Sequence, residues 1–275
     1  MALTGPDVVL VEKKGHITIL TLNRAERRNS MNLDVYDRLD DEWKKFQADD
    51  NAFVAILTAA NDPAIAAEKQ AFCSGMDMKD QAERVAKDPA YDIVKLRPGV
   101  VDGTYGTPYG HNITKPVIGA INGVATAGGF QFSMMCDLKV AAETARFGTS
   151  EVKVGRGTPW AMPILWQMPL PIAFEILLTG NLMPAKRLYE VGWINRVVPL
   201  DQLMPTAMEL AETLAENAPL SVRAAKEAMY CAMDVGRKSG IDVAKIIYQK
   251  VYASEDAKEG PRAFAEKRKP VWKGR

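Results

Sequence analysis

This chain of 275 residues is short of the residue types that mark several large function classes. Its three cysteines, Cys73, Cys136 and Cys231, are odd in number and far apart, so neither a disulfide framework nor finger-type metal spacing is available. A reducing compartment is the expectation. Two histidines, His16 and His111, exclude a His-rich metal cluster and leave little for a His-assisted nucleophile. No apolar run reaches the roughly 20 residues that span a bilayer. The nearest, Trp160 to Phe174, is interrupted by Pro163, Gln167, Pro169 and Pro171 and is expected to be irregular, buried structure. Met1 to Lys14 lacks the charged, apolar, small-residue order of a signal peptide, so a cytoplasmic protein is expected, without membrane association. Charge of one sign is also missing: 35 Lys+Arg against 34 Asp+Glu leave +1, which offers no field for nucleic acid. Neither a Walker-type phosphate loop nor a full Gly-x-Gly-x-x-Gly fingerprint occurs, since Gly155-Arg156-Gly157 meets Trp160 where the third glycine would fall. A Gly-x-Ser-x-Gly elbow is lacking as well, which argues against the usual hydrolase triad.

What remains is an average globular composition, 47% hydrophobic and 25% charged, with chain enough for one large domain or a core plus an appendage. Val8 to Glu12 and His16 to Leu22 are β-rich runs joined by Lys13-Lys14-Gly15, a hairpin signature. From Asn32 to Asp50, Val35, Leu39, Trp43 and Phe46 recur at helical spacing and predict an amphipathic helix. Strands are expected at Phe53 to Thr58, Ala71 to Ser74 and Val117 to Ile121, with helices from Asp77 and over Phe130 to Cys136. Repeated strand, strand, helix units argue for a layered α/β core. Pro89 to Asn112 is a long aperiodic loop, which is unusual unless functional. After a last strand within Trp193 to Val198 the pattern turns helical, over Asp201 to Ala215, Ser221 to Met233 and Ile241 to Tyr252. The boundary is therefore placed near residue 200: a core over 1–200 and a helical region over 201–275.

Four segments carry the chemistry. Phe72-Cys73-Ser74-Gly75-Met76-Asp77 ends a strand in a glycine and exposes the Met76 amide at a turn. Asn122 to Phe130 puts Gly128-Gly129 ahead of a helix, where first-turn N–H groups lack internal partners and the dipole favours negative charge. Two such donors converging would form an oxyanion hole. Met134-Met135-Cys136-Asp137 ends that helix, and Phe147-Gly148-Thr149-Ser150-Glu151 delivers a carboxylate on a loop.

In order and spacing these segments resemble the crotonase superfamily, the enoyl-CoA hydratase/isomerase family. The likeness runs from Leu22-Asn23-Arg24-Ala25-Glu26-Arg27-Arg28-Asn29-Ser30-Met31, with Ala25 where the family has proline, through Lys115-Pro116-Val117-Ile118-Gly119-Ala120-Ile121-Asn122-Gly123. It continues over Leu178-Thr179-Gly180, Gly192 to Pro199 and Glu266 to Pro270. The resemblance implies an α/β, crotonase-like spiral of strand–strand–helix units carrying a helical C-terminal oligomerisation region, assembled as a homotrimer or a dimer of trimers. It implies an oxyanion hole from the Met76 and Gly128 amides, Glu151 as the proton-transferring acid, and an acyl-CoA substrate with coenzyme A as thioester carrier, without a prosthetic group or metal. Arg24, Arg27 and Arg28 would line the nucleotide groove, and Phe264 and Lys267 in the tail would reach a coenzyme A in a neighbouring subunit.

Two departures bear on the reaction. The first glutamate of the hydratase pair should lie twenty residues before Glu151, where Gln131 stands. Gln orients a water or a substrate group but accepts no proton at physiological pH. Hydration or dehydration of an enoyl-CoA is ranked first, double-bond isomerisation second, and hydroxycinnamoyl-CoA-type hydratase-lyase chemistry third. A crotonase-fold protein that binds acyl-CoA without turnover is the reading from another class. Second, the family's Pro-Gly-Ala-Gly-Gly stretch is replaced by Gly157 to Met162, and the bulky Trp160 there suggests a reshaped acyl pocket. Tyr105, Tyr109 and His111 lie in the loop that would cover that end.

Overall fold

The computed structural model describes residues 4–275; the first three residues of the N-terminal segment weighed as a leader lie outside it. Strands β1 (Val9–Lys14), β2 (Ile17–Leu22), β3 (Val54–Ala59), β4 (Ala71–Cys73) and β5 (Val117–Ile121) are followed by β6 (Val124–Thr126) and β7 (Leu138–Ala142). The series closes with β8 (Arg146–Gly148), β9 (Met183–Pro184) and β10 (Arg196–Val198). They form a six-stranded sheet, ordered β1-β2-β3-β5-β7-β10, and a four-stranded sheet, ordered β4-β6-β8-β9. β1 and β2 are the expected hairpin, antiparallel with Lys14 opposite Ile17, and every other pairing in the larger sheet is parallel. From β3 to β8 the chain alternates between the sheets, which is the strand–strand–helix spiral the sequence implied.

Parallel strands covered on both faces read as continuous apolar runs. β3 and β5 are buried at every position, and period-two alternation sends their side chains to two cores. Ala55, Leu57, Val117 and Ile121 join the large inner cluster with the stripe of helix α1 (Leu33–Ala48), including Leu39 and Trp43. Val54, Ile56, Ile118 and Ala120 face outward.

Helices α2 (Met78–Lys87), α3 (Ile93–Leu96) and α4 (Gly99–Asp102) precede α5 (Gly128–Met134), and α6 (Ile164–Gln167), α7 (Leu170–Thr179) and α8 (Ala185–Glu190) follow it. The expectation for Trp160 to Phe174 needs correcting. The segment folds into a short turn, α6 and the start of α7, and Leu165, Trp166, Leu170 and Phe174 are exposed, because the prolines divide it into pieces too short to bury both faces. Helix α9 (Leu203–Ala215) closes the outer core with Leu203, Ala207 and Ala211, so the first helix beyond residue 200 packs as part of the core. Helices α10 (Pro219–Val235), α11 (Arg237–Ala253) and α12 (Asp256–Ala265) complete the chain.

Candidate active site

β4, β6 and β8 are consecutive parallel neighbours in the smaller sheet. Their register aligns Cys73 with Ala125 and Ala125 with Phe147. Counting three residues past each aligned position reaches Met76, Gly128 and Ser150, and Glu151 is next. Adjacent strands run about 4.8 Å apart, so the three segments singled out from the sequence leave the sheet along one edge about 10 Å wide. It lies at the carboxyl ends of the strands, where open α/β sheets bind ligands.

The Met76 amide is aimed by its neighbours. Met31 pairs with Met76 as an isolated parallel bridge, in which the Met31 N–H donates to the Gly75 carbonyl (2.8 Å) and the Asp77 N–H to the Met31 carbonyl (2.9 Å). Groups alternate along extended backbone, so Met76 turns its own N–H away from Met31. Gly75 has φ +88°, and a Cβ built on it would fall 2.7 Å from Ala127 Cβ and 3.3 Å from the Gly128 nitrogen. The two turns are thus in contact, with glycine where a side chain would separate them. Ala127 holds φ +52° and ψ −124°, an uncommon backbone for a non-glycine residue, and its N–H donates to the Gly148 carbonyl at 3.1 Å. The Gly128 N–H opens α5. Neither it nor the Met76 N–H meets an acceptor among the described residues.

Glu151 begins a single turn, Glu151–Val154, and is half-buried; its Oε2 is buried without a hydrogen-bond partner. Gln131, 3% exposed in the first turn of α5, likewise buries an unpartnered Nε2. Buried polar atoms are nearly always paired, so two such orphans on the elements that follow β6 and β8 mark a place where a ligand or water completes the bonding. The thiol of Cys73 is no rival nucleophile, because burial pushes it up to about 12 against the opposing pull of the Gly75 N–H and Arg24.

Other expected residues are placed differently. Arg24 is 2% exposed, with its guanidinium on the Ser30 carbonyl (2.6 Å) and on Asp77 (2.9 Å), so it braces the site from beneath and cannot face a phosphate. Burial opposes ionisation of Asp77, but the Asp80 N–H and Arg24 outweigh it and hold its carboxyl below the ordinary value. Arg27 and Arg28 do reach solvent, Arg27 within 3.8 Å of Glu83. The Tyr105 hydroxyl is engaged within the protein: it donates to Asp37 (2.6 Å) and accepts from Arg97 (2.8 Å), while burial and Asp37 push it up to about 12. Tyr109 is 67% exposed and His111 bonds Asp40 at 2.7 Å. Trp160 is buried in the inner core. Phe264, on α12, is 87% exposed in the single chain, and Lys267 is exposed beyond that helix. Sequence reasoning missed Asp37 and Asp40, whose only signal was their i, i+3 spacing on α1.

The profile of the family described as Enoyl-CoA hydratase/isomerase matches residues 12–275. Enoyl-CoA hydratase EchA19 of Mycobacterium tuberculosis is 35% identical over 283 residues, covering 99% of this chain and 98% of that protein. The (E)-benzylidenesuccinyl-CoA hydratase of Thauera aromatica is 33% identical over 268 residues, 97% of this chain and 99% of its own. Among solved structures, the enoyl-CoA hydratase of M. tuberculosis superposes with a TM-score of 0.86 at 34% identity, over 98% of this chain and 100% of that one. The enzyme of Bacillus anthracis gives 0.86 at 30% identity, over 97% and 99%.

Proposed function

Because this chain belongs to the enoyl-CoA hydratase/isomerase family and is an acyl-CoA enzyme of it, we propose a mechanism built on two main-chain amides and one carboxylate. The thioester oxygen sits between the N–H groups of Met76 and Gly128. Adding a nucleophile to the conjugated double bond, or drawing a proton from the α-carbon, sends charge to that oxygen as an enolate. Fixed donors there are worth about 3–4 kcal/mol each, because they require no reorganisation as the charge develops. Glu151 moves the proton. In hydration its carboxylate takes a proton from water as the oxygen bonds the β-carbon, then returns that proton to the α-carbon as the enolate collapses, so one water is added across the double bond. Gln131 holds the water or an acyl polar group without titrating.

The observation that carries this reading is the register of β4, β6 and β8, whose adjacent ends lead into the two unengaged amides and the unpartnered acid. Gln131 in place of a second acid favours double-bond isomerisation as the second reading, since one carboxylate suffices to shuttle one proton between carbons; hydratase-lyase chemistry is third. At the nucleotide end, Arg27 and Arg28 are the cations we assign to the phosphates, with Phe264 and Lys267 supplied by a neighbouring subunit of a homotrimer or dimer of trimers. Trp160 bounds the acyl end. The cytoplasm, where Cys73, Cys136 and Cys231 stay unpaired, is the proposed location.

Replacing Glu151 by Gln tests the assignment. The kcat with crotonyl-CoA is expected to fall at least 100-fold, in line with the loss of a general acid–base, while acyl-CoA affinity by calorimetry stays within threefold. An active Glu151→Gln enzyme would mean that another group moves the proton. Gln131→Glu is expected to raise hydration over isomerisation; an unchanged ratio would remove the role given to Gln131.

A further inference from the structure

The long loop is pinned at two points to one face of α1. Arg97 meets Asp37 with two parallel bonds, Nε to Oδ1 at 2.8 Å and Nη2 to Oδ2 at 2.9 Å, and Tyr105 closes the same cluster. One turn further, Asp40 takes His111 Nε2 at 2.7 Å and the Gly106 N–H at 3.4 Å, and Trp43 donates to the Gly106 carbonyl at 3.1 Å. Between Arg97 and Tyr105 stands Gly103, in left-handed backbone at φ +84°, and a Cβ built there would lie 2.0 Å from Gln131 Nε2 and 3.2 Å from Met135 Cε. The loop's main chain is therefore pressed onto the Gln131 carboxamide, with no room between them. Helix α4, which Gly103 ends, packs on the Pro159–Ala161 turn that carries Trp160.

We propose that Gly103 is a positioning residue, and that Asp37, through the loop it anchors, determines acyl specificity. The bare main chain at 103 seats the Gln131 carboxamide in the site, and the clamp on α1 fixes the height of that wall and so the room left for the acyl group. This rests on the function proposed above. Fixation by the clamp, rather than by the loop's own helices, follows from their length: α3 and α4 have four residues each, too short to hold position unaided.

Four enzymes form the test: wild type, Gly103→Ala, Gln131→Ala and the double variant, measured for kcat and KM with crotonyl-CoA. In the wild-type background Gly103→Ala is expected to lower kcat about tenfold with KM within twofold, and in the Gln131→Ala background to lower it no further, the non-additivity of groups in contact. Equal losses in both backgrounds would overturn the proposal, because strain at a left-handed residue acts alike in each. In Asp37→Asn, which loosens the wall without touching the site, the ratio of kcat/KM for decenoyl-CoA over crotonyl-CoA is expected to rise at least fivefold; an unchanged ratio would also overturn it. Dissociation constants for butyryl- and decanoyl-CoA keep the two readings separable. If wild type turns over no enoyl-CoA, the proposed function fails, while a shift of that affinity ratio in Asp37→Asn supports the clamp and its constancy refutes it.

Discussion

Lys115 is a residue whose environment contradicts its chemistry. It is buried beneath α1, with Nζ donating to the carbonyls of Phe46 (2.7 Å) and Asp49 (2.6 Å) and lying 5.1 Å from the Phe46 ring centroid. Burial, helped by the nearby Arg223, pulls it down to about 8 from its ordinary 10.5. The unfolded chain then binds more protons than the folded one between those values, so stability rises with pH across that interval. Urea midpoints between pH 7.5 and 10.5 are expected to climb more for wild type than for Lys115→Met; parallel curves would dissociate the slope from this group. Glu151 shows the opposite relation between sequence and structure. Its position in the motif was legible, but the burial of Oε2 depends on what folds over it.

Among the elements, α2 shows how a site is held rigid from behind. Asp77 caps it by accepting from the Asp80 N–H at 3.0 Å, and the same carboxylate holds the buried guanidinium of Arg24. The three-residue segment from Gly75 to Asp77 thereby supplies a turn, a free amide and a helix cap in succession. Removing the acid strands a buried cation, which costs about 3–5 kcal/mol. Asp77→Ala is accordingly expected to lose that much in denaturant unfolding, and Arg24→Met/Asp77→Leu to lose less than Asp77→Ala alone. A double variant worse than the single one would mean the pair itself, and not the orphaned charge, sets the cost. The long elements were readable: α1 runs from its Asn32 cap, whose side chain accepts from the Val35 N–H, along the stripe its periodicity foretold. β6 and β8 were not, because three residues carry no period, yet these strands align the edge we propose to be catalytic. The charged trio Arg24, Arg27 and Arg28 looked equivalent in sequence and divides in space, since only a packed partner such as Asp77 draws one of them inward.

At the scale of the whole molecule, the single chain leaves large apolar side chains uncovered on two sets of helices. Trp166, Phe174 and Leu178 of α6 and α7 are exposed, as are Ile246 and Tyr252 of α11. Exposed apolar side chains that cluster on one helix surface are where an interface is expected. The C-terminal helices are tied to the core by polar bonds from α10, Lys226 to Asp137 at 2.7 Å and Tyr230 to the same acid at 3.0 Å, which orient that arm without burying its apolar side. In sedimentation velocity the protein is expected to run as a trimer or hexamer, and Phe174→Glu to shift it toward monomer. A wild-type monomer at micromolar concentration would refute both the assembly and the shared nucleotide site.

Sequence alone determined the layered α/β class, the long helix α1 and the family, and it singled out the acid and the two amide positions that we propose for the chemistry, because hydrophobic period and residue order are local properties that survive in one dimension. Tertiary structure decided which cation turns inward, that the Tyr105 hydroxyl bonds Asp37 of α1, and that Gly103 presses on Gln131. Those facts depend on segments tens of residues apart meeting at fixed separation, and no local pattern encodes a distance across the fold.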